Sequence, residues 1–146
     1  MRRYILLIFI LLSLCAFAED NSFSIEKKIL TKISHVLVPE KKVISIWYFG
    51  SKIPLSLSNN SFFDIVDDYK KADLIIIDEI GWKVKLDLHI PIVVLEYSLL
   101  KDYPDAVGAY FWQKGRPNIV MITPRIDKIG IKLPAEFKRY AESKVW

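Results

Sequence analysis

Two short apolar runs constrain the fold of this chain most strongly. Four apolar residues stand between Asp73 and Asp78, and a second run, broken only by Pro91, extends from Ile90 to Glu96. A strand with one solvated face alternates apolar and polar residues, whereas a strand buried on both faces is apolar throughout. We therefore expect both runs to be inner strands of a sheet with helices on both sides.

Helical and extended patterns alternate around these runs. Isoleucines at 25, 29 and 33, with Val36 and Leu37 after them, predict a helix that Ser24 caps and Pro39 ends. β-Branched and aromatic residues predict a strand over 43–48 that ends in a loop at Gly50. Further segments predict a second helix over 62–69, which the polar residues 58–61 would cap, and a short helix or turn over 97–103, which Pro104 would end.

The last third of the chain predicts a β-hairpin and a terminal helix. Residues 107–112 and 118–123 are strand-like, and Gln113–Pro117 joins them with a glycine suited to a positive φ. A helical turn over 124–129 and a helix from Pro134 to Ala141 follow. Together these patterns predict an α/β fold: one three-layer domain with a central mixed sheet flanked by helices, a C-terminal β-hairpin and a terminal helix.

Residues 1–18 have the pattern of a cleaved export signal. Arg2 and Arg3 precede an apolar stretch over 5–14, and Ala16-Phe17-Ala18 forms an A-x-A cleavage site. The sequence thus predicts a signal peptide over 1–18 and a single α/β periplasmic domain, soluble once mature, over 19–146. Two alternatives stay open. The leader could remain as an anchor, or Cys15 could be acylated, although a lipoprotein site prefers a small residue where Leu14 stands.

The charge of the mature chain is too mild to indicate nucleic-acid binding. Two of the 21 basic residues leave with the signal, so 19 remain against 17 acidic residues, a net charge of +2. Neither a Lys/Arg run nor an aromatic-basic platform accompanies this charge. Cys15 is the only cysteine, so the mature chain has no thiol for disulfide bonds or nucleophilic catalysis.

No catalytic, metal-binding or cofactor signature stands out. His35 and His89 are the only histidines, lie far apart and belong to no metal-ligand spacing. The G-x-S-x-G elbow and the glycine-rich nucleotide motifs are absent. We therefore expect a protein that is not an enzyme and carries no cofactor and no metal.

Carboxylates at strand ends suggest one ligand-binding site. In open α/β sheets, ligands bind in the crevice beyond the carboxyl ends of the strands. Asp78, Glu79 and Glu96 are expected at that edge, and a site formed by Gly50, Ser51, Asp78 and Glu96 is the resulting hypothesis. These carboxylates could also serve acid-base chemistry or simply mark where buried strands emerge into water.

The hairpin suggests a second binding surface, for a partner or an anion. Lys114 and Arg116 flank Gly115 and could hold a phosphate or carboxylate, or the turn could be a plain solvated tip. Tyr110 and Trp112 share one face of their strand. If that face is exposed, it would join amphipathic rings to Arg116, which are residue types enriched in interface hot spots. Trp47, Tyr48 and Trp82 could extend the same patch.

The order of elements resembles a known family. An exported chain with buried strands near 73–78 and 92–96, a Gly-Ala-Tyr-Phe-Trp strand at 108–112, an Asn-Ile-Val-Met-Ile strand at 118–122 and a closing segment from Gly130 to Tyr140 resembles the YfiR-type small periplasmic regulators. More distantly, it resembles one lobe of a periplasmic solute-binding protein. The first resemblance implies a binding role in which the protein restrains or informs a membrane-bound signalling partner, often one that controls cyclic di-GMP synthesis.

The chain departs from that family in its cysteines. YfiR-type regulators commonly form disulfides, whereas the mature chain here has no cysteine, so the resemblance does not imply redox sensing. The leading hypothesis is a regulatory domain whose hairpin binds a membrane-anchored signalling protein. The alternatives are a single-lobed binder of a small molecule at the strand-end crevice and an enzyme that uses the carboxylates there.

Overall fold

The computed structural model describes residues 21–83 and 89–146. Seven strands form one sheet: β1 (Ile44–Phe49), β2 (Phe63–Ile65), β3 (Leu74–Ile77), β4 (Ile92–Val94), β5 (Gly108–Gln113), β6 (Arg116–Ile122) and β7 (Ala141–Glu142). The helices are α1 (21–37), α2 (Leu55–Ser58), α3 (Leu99–Asp102) and α4 (Thr123–Lys128), with 3₁₀ turns at Tyr69–Lys71 and Ala135–Tyr140. The predicted signal peptide lies outside the described residues.

The sheet is mixed, with strand order β2-β1-β3-β4-β5-β6-β7. Strands β2, β1, β3, β4 and β5 are mutually parallel, β6 runs antiparallel to β5, and β7 is parallel to β6. The chain moves from β1 to β2 on one side and then returns past β1 to β3 on the other. This reversal makes the β1–β3 border the switch point of the sheet.

Apolar side chains fill both faces of the sheet, as the two apolar runs predict. Strand β3 illustrates the alternation, because Leu74 and Ile76 face one core whereas Ile75 and Ile77 face the other. The first core also contains residues of α1 and Phe137 of the second 3₁₀ turn, and the second contains residues of α3. The predicted α/β fold with a mixed sheet between helical layers is confirmed.

The predicted helix over 62–69 is wrong. Phe63–Ile65 forms β2, which pairs in parallel with β1 through Ile44 and Ile46, and Tyr69–Lys71 is a 3₁₀ turn. The polar residues before it do not cap a helix. Asn59 instead ends α2, and the buried Asn60 accepts a hydrogen bond from the Phe62 N–H at 3.1 Å. Pairing with β1 outweighs the local preference of this segment, whose apolar residues are spaced as on one face of a helix.

Both chain ends differ in detail from the prediction. Residues 21–23 are already helical, so Ser24 lies inside α1 and does not cap it. The predicted terminal helix is a 3₁₀ turn, and the sequence pattern did not reveal β7 after it. Phe137 is the only buried residue of that turn. One apolar anchor with Tyr140 three residues later suits a 3₁₀ turn better than a long amphipathic helix.

Candidate functional site

The switch point places part of the predicted ligand site in one cluster. Gly50 and Ser51 follow β1, and Asp78 and Glu79 follow its parallel neighbour β3. The Asp78 N–H donates to the Phe49 carbonyl at 2.8 Å, which continues the ladder past the strand ends. Because the strands are parallel, both connecting loops leave from the same edge of the sheet.

The side chains of this cluster bind the two loops to each other. The Tyr48 hydroxyl lies 3.0 Å from Asp78 Oδ2 and 2.8 Å from the Lys52 carbonyl, while Glu79 Oε1 accepts the Ser51 N–H at 2.8 Å. The Tyr48 ring packs so closely on Gly50 that a Cβ there would collide with it. One oxygen of each carboxylate thus forms a hydrogen bond within the protein.

Burial sets the protonation of the Tyr48–Asp78 pair. It raises the pKa of Asp78, with a smaller increase from Glu79, and the Tyr48 hydrogen bond works in the opposite direction. Burial also raises the pKa of Tyr48, and Asp78 raises it further by hydrogen bonding and by its charge. Tyr48 therefore stays protonated and serves as a donor that ties loop 50–54 to the end of β3.

Glu96 stands apart from the other predicted site residues. It follows β4, the strand beside β3, and therefore lies at the same edge of the sheet. Its side chain is exposed and makes no hydrogen bond to Asp78 or Glu79. Its carbonyl instead accepts the Leu99 N–H at 3.2 Å at the start of α3. The structure brings Gly50, Ser51 and Asp78 together but leaves Glu96 outside their network.

The predicted hairpin is present and extends beyond its neighbours. Strand β5 pairs with β6 from Gly108 to Gln113, but pairs with β4 only at Gly108 and Ala109. Strand β6 pairs with β7 only at Met121 and Ile122. Within the described part of the chain, no strand covers either edge of residues 110–119. We call this two-stranded extension the hairpin arm.

The arm ends in a two-residue turn, which is tighter than the predicted five-residue connection. Lys114 and Gly115 have φ values of 52° and 72°, and Gln113 pairs directly with Arg116. Two successive positive φ angles are typical of the type I′ turn, whose twist matches that of the flanking strands. The turn exposes both Lys114 and Arg116 at the tip.

The predicted aromatic face of the hairpin is only partly exposed. Tyr110 is 3% exposed and belongs to the core, whereas Trp112 is 40% exposed. Burial, with a contribution from Glu26, raises the pKa of Tyr110, while the neighbouring Trp112 side chain works in the opposite direction. Tyr110 therefore cannot form part of a docking surface, which is a correction to the predicted site.

The arm also separates the two residues that were expected to act together. Trp112 pairs with Pro117, and Gln113 pairs with Arg116. Since paired side chains share a face and successive residues alternate, Trp112 and Arg116 emerge on opposite faces of the arm. One face of the hairpin thus carries Trp112 beside Pro117, and the other carries Arg116 beside Gln113.

The other aromatic residues do not extend the hairpin surface. Trp47 packs with Trp82 at 4.8 Å between ring centroids, and with Phe49 and Tyr69 at about 6 Å. Strands β3 and β4 separate β1 from β5, so this cluster lies about 14 Å or more from the hairpin strands. Tyr48 belongs to the switch-point network.

Sequence reasoning missed the role of Arg125. Its guanidinium donates to the carbonyls of Leu100, Tyr103 and Ala106 at 2.9–3.2 Å, so it caps the end of α3 from α4. Burial lowers the pKa of Arg125, while Asp105 raises it. A single arginine in a short helical turn gives no local signal of such a role, because its acceptors are backbone carbonyls of another element.

Comparison with family models, curated proteins and solved structures finds no match.

None of the helices in residues 21–83 and 89–146 is both long and apolar enough to cross a bilayer. In the same ranges, no three His, Cys, Asp or Glu side chains are grouped so that they could hold a metal ion.

Proposed function

We propose that this protein is an exported, non-catalytic regulatory domain that binds a membrane-anchored signalling protein through its hairpin arm. The observation that carries the proposal is the arm itself, which extends past β4 and β7 and holds Trp112 in a partly exposed position. Tryptophan and arginine are enriched among residues that dominate binding energy at protein interfaces. The proposal also draws on the resemblance to YfiR-type regulators.

The backbone of the arm supports a binding role as well. Strands with open edges can pair with an extended segment of another protein, and main-chain hydrogen bonds then add to side-chain contacts. The exposed cations Lys114 and Arg116 at the tip favour an acidic surface on the partner. A partner bound to the arm would thus contact the backbone edge of a strand, the Trp112 indole, and the cations Lys114 and Arg116.

The hydrogen bonds of the switch-point carboxylates fit a structural role. Asp78 accepts from Tyr48, and Glu79 accepts from the Ser51 backbone, so both hold loops in place. A general base must reach a proton of the substrate. Both carboxylates already have a partner within the protein, which is the arrangement expected of structural ties.

A small molecule bound at the switch point is the second candidate function. The sheet order favours it, because ligands of open α/β sheets bind where the strand order reverses. A ligand there would compete with Glu79 for the Ser51 N–H. Chemical-shift changes confined to residues 50–54 and 78–79 on addition of an envelope extract would favour this candidate over the hairpin partner.

Affinity capture from the native envelope tests the proposed partner. Wild-type protein is compared with Trp112→Ala and Arg116→Ala, and Leu55→Ala and Lys52→Ala serve as controls on an exposed apolar residue and an exposed cation away from the arm. We expect a membrane protein in the wild-type and control samples and its loss from at least one hairpin variant that circular dichroism shows to be folded. Capture of the same protein by all five forms would contradict the proposal.

Export is tested by intact-mass analysis of protein recovered from the native host. Cleavage after Ala18 predicts a chain that begins at Glu19. A retained Met1 would support an anchor, and a lipid on Cys15 would support a lipoprotein. Either result would overturn the proposal of a soluble periplasmic form.

A further inference from the structure

A groove on the outer surface of α1 combines an apolar floor with a basic rim. Its volume is about 630 Å³, within the range of about 300–1,000 Å³ common for small-ligand sites. Its apolar lining residues are Val36, Pro39, Phe62 and Pro134. Phe62 is 48% exposed, although it contacts the His35 ring edge-on at 5.5 Å between centroids. Apolar area is therefore left open to solvent.

The rim of the groove is strongly positive. Four lysines line it: Lys27, Lys28, Lys32 and Lys132. Among the described residues of the lining, the only carboxylate is that of Glu136, which pairs with Lys32 at 3.2 Å. Both side chains of that pair are 58% exposed, and exposed pairs of this kind contribute only about 0–1 kcal/mol. An anionic group could therefore take the place of Glu136 at little cost.

A second apolar cavity continues from the same ion pair. It has a volume of about 380 Å³, is lined by Ile29, Pro117, Ile119 and Tyr140, and shares Lys32 and Glu136 with the groove. The ion pair thus stands between two apolar spaces, one on α1 and one beneath the hairpin arm. An elongated apolar molecule could cross from one space to the other if Lys32 and Glu136 separated.

We propose that this groove is a binding site for an anionic amphiphile, with an alkyl chain on the apolar floor and a carboxylate head held by the lysines. Charge complementarity selects this class: four cations against one weakly paired carboxylate disfavour a cationic ligand, and the apolar floor disfavours a purely polar anion. The groove itself contains no residue of the hairpin arm or of the switch point, so the proposal does not depend on the proposed partner.

Isothermal titration calorimetry with decanoate, below its micelle-forming concentration, tests the site on protein produced from the complete sequence in detergent-free buffer. We expect saturable 1:1 binding that weakens as salt is raised. The double variant Lys28→Glu/Lys132→Glu should weaken binding at least about tenfold, while Lys52→Glu/Lys101→Glu, an equal charge change outside the groove, should leave it within about twofold. Acetate and decyltrimethylammonium should not bind.

The apolar floor has its own matched pair of variants. Phe62→Ser should weaken decanoate binding about fivefold, because it removes apolar surface from the groove. Leu55→Ser, which changes an exposed apolar residue outside the lining, should have no effect. No heat of binding to wild-type protein, equal binding of decyltrimethylammonium, or unchanged affinity in the lysine double variant would overturn the proposal. Binding of an acidic peptide but not decanoate would likewise overturn it in favour of a protein ligand.

Discussion

Hydrogen bonds of Asp78 and Glu79 connect the two loops at the carboxyl edge of the sheet. Asp78 is the first residue after β3, and its carboxylate lies against the Tyr48 hydroxyl at 3.0 Å. Burial raises the pKa of Asp78 above its usual value of 3.8. An acid with a raised folded-state pKa holds its proton more tightly in the folded protein than in the unfolded chain. Ionisation of Asp78 therefore opposes folding.

We predict that Asp78→Asn removes the decrease in the free energy of unfolding that ionisation of Asp78 causes. Asparagine retains an oxygen that can accept from Tyr48 but cannot ionise. The wild-type protein should lose free energy of unfolding relative to the variant as pH rises through the folded-state pKa, which lies above 3.8; below 3.8 the two should differ by a constant amount.

Urea unfolding between about pH 3 and pH 7 measures this difference. Asp64→Asn, which changes an exposed carboxylate in β2, is the matched control and should follow the wild-type curve. Parallel curves for wild type and Asp78→Asn across the whole range would show that the environment of Asp78 does not favour the protonated form.

The sequence predicted the place of this network but not its contacts. Charged residues after apolar runs indicated that Asp78 and Glu79 lie at a strand end, and the parallel sheet then brings them beside Gly50 and Ser51. The tie through Tyr48 depends on which residue of β1 faces Asp78. That choice is set by strand register, which local composition does not specify.

At the scale of secondary-structure elements, Arg125 joins α4 to α3. The last carbonyls of a helix have no partner within the helix. Arg125 supplies donors to the Leu100 and Tyr103 carbonyls and to the Ala106 carbonyl that follows. The guanidinium has five donors in a planar fork, so one side chain satisfies three acceptors.

We predict that Arg125→Lys lowers the free energy of unfolding by about 1.5–3 kcal/mol, because an ammonium cannot reproduce the fork and a half-buried acceptor is left unpaired. Arg139→Lys is the control, since Arg139 is exposed and stacks on the Tyr140 ring at 4.7 Å. Urea denaturation compares the two variants. Equal losses in both would contradict a specific capping role for Arg125.

The sequence predicted the helices and strands that carry a clear apolar or turn pattern, including the short strand β4. Strands β3 and β4, helix α1 and the hairpin carry clear apolar or turn signals, and all four are present. Strand β2 was missed because three residues are too few to display a period of two, and because its stability comes from pairing with Ile44–Ile46 in β1. Strand β7 has only two residues and was missed for the same reason.

At the scale of the whole molecule, the structure separates three regions. The switch-point network lies at the carboxyl edge near β1 and β3, the hairpin arm extends from β5 and β6, and the basic groove follows the outer surface of α1. The two-sided core was predictable from the apolar runs alone. The projection of the arm was not, since it depends on how far β4 and β7 accompany β5 and β6.

Site-specific photo-cross-linking in living cells of the native host tests the arm as a partner-binding surface most directly. A benzophenone amino acid replaces Trp112 on the arm or, as a control, the exposed Leu55 in α2. We predict a cross-link to a membrane protein from position 112 and none from position 55. Equal cross-linking from both positions, or from position 55 alone, would contradict a docking surface on the hairpin arm, as would its absence from position 112 in a protein shown to be folded and exported.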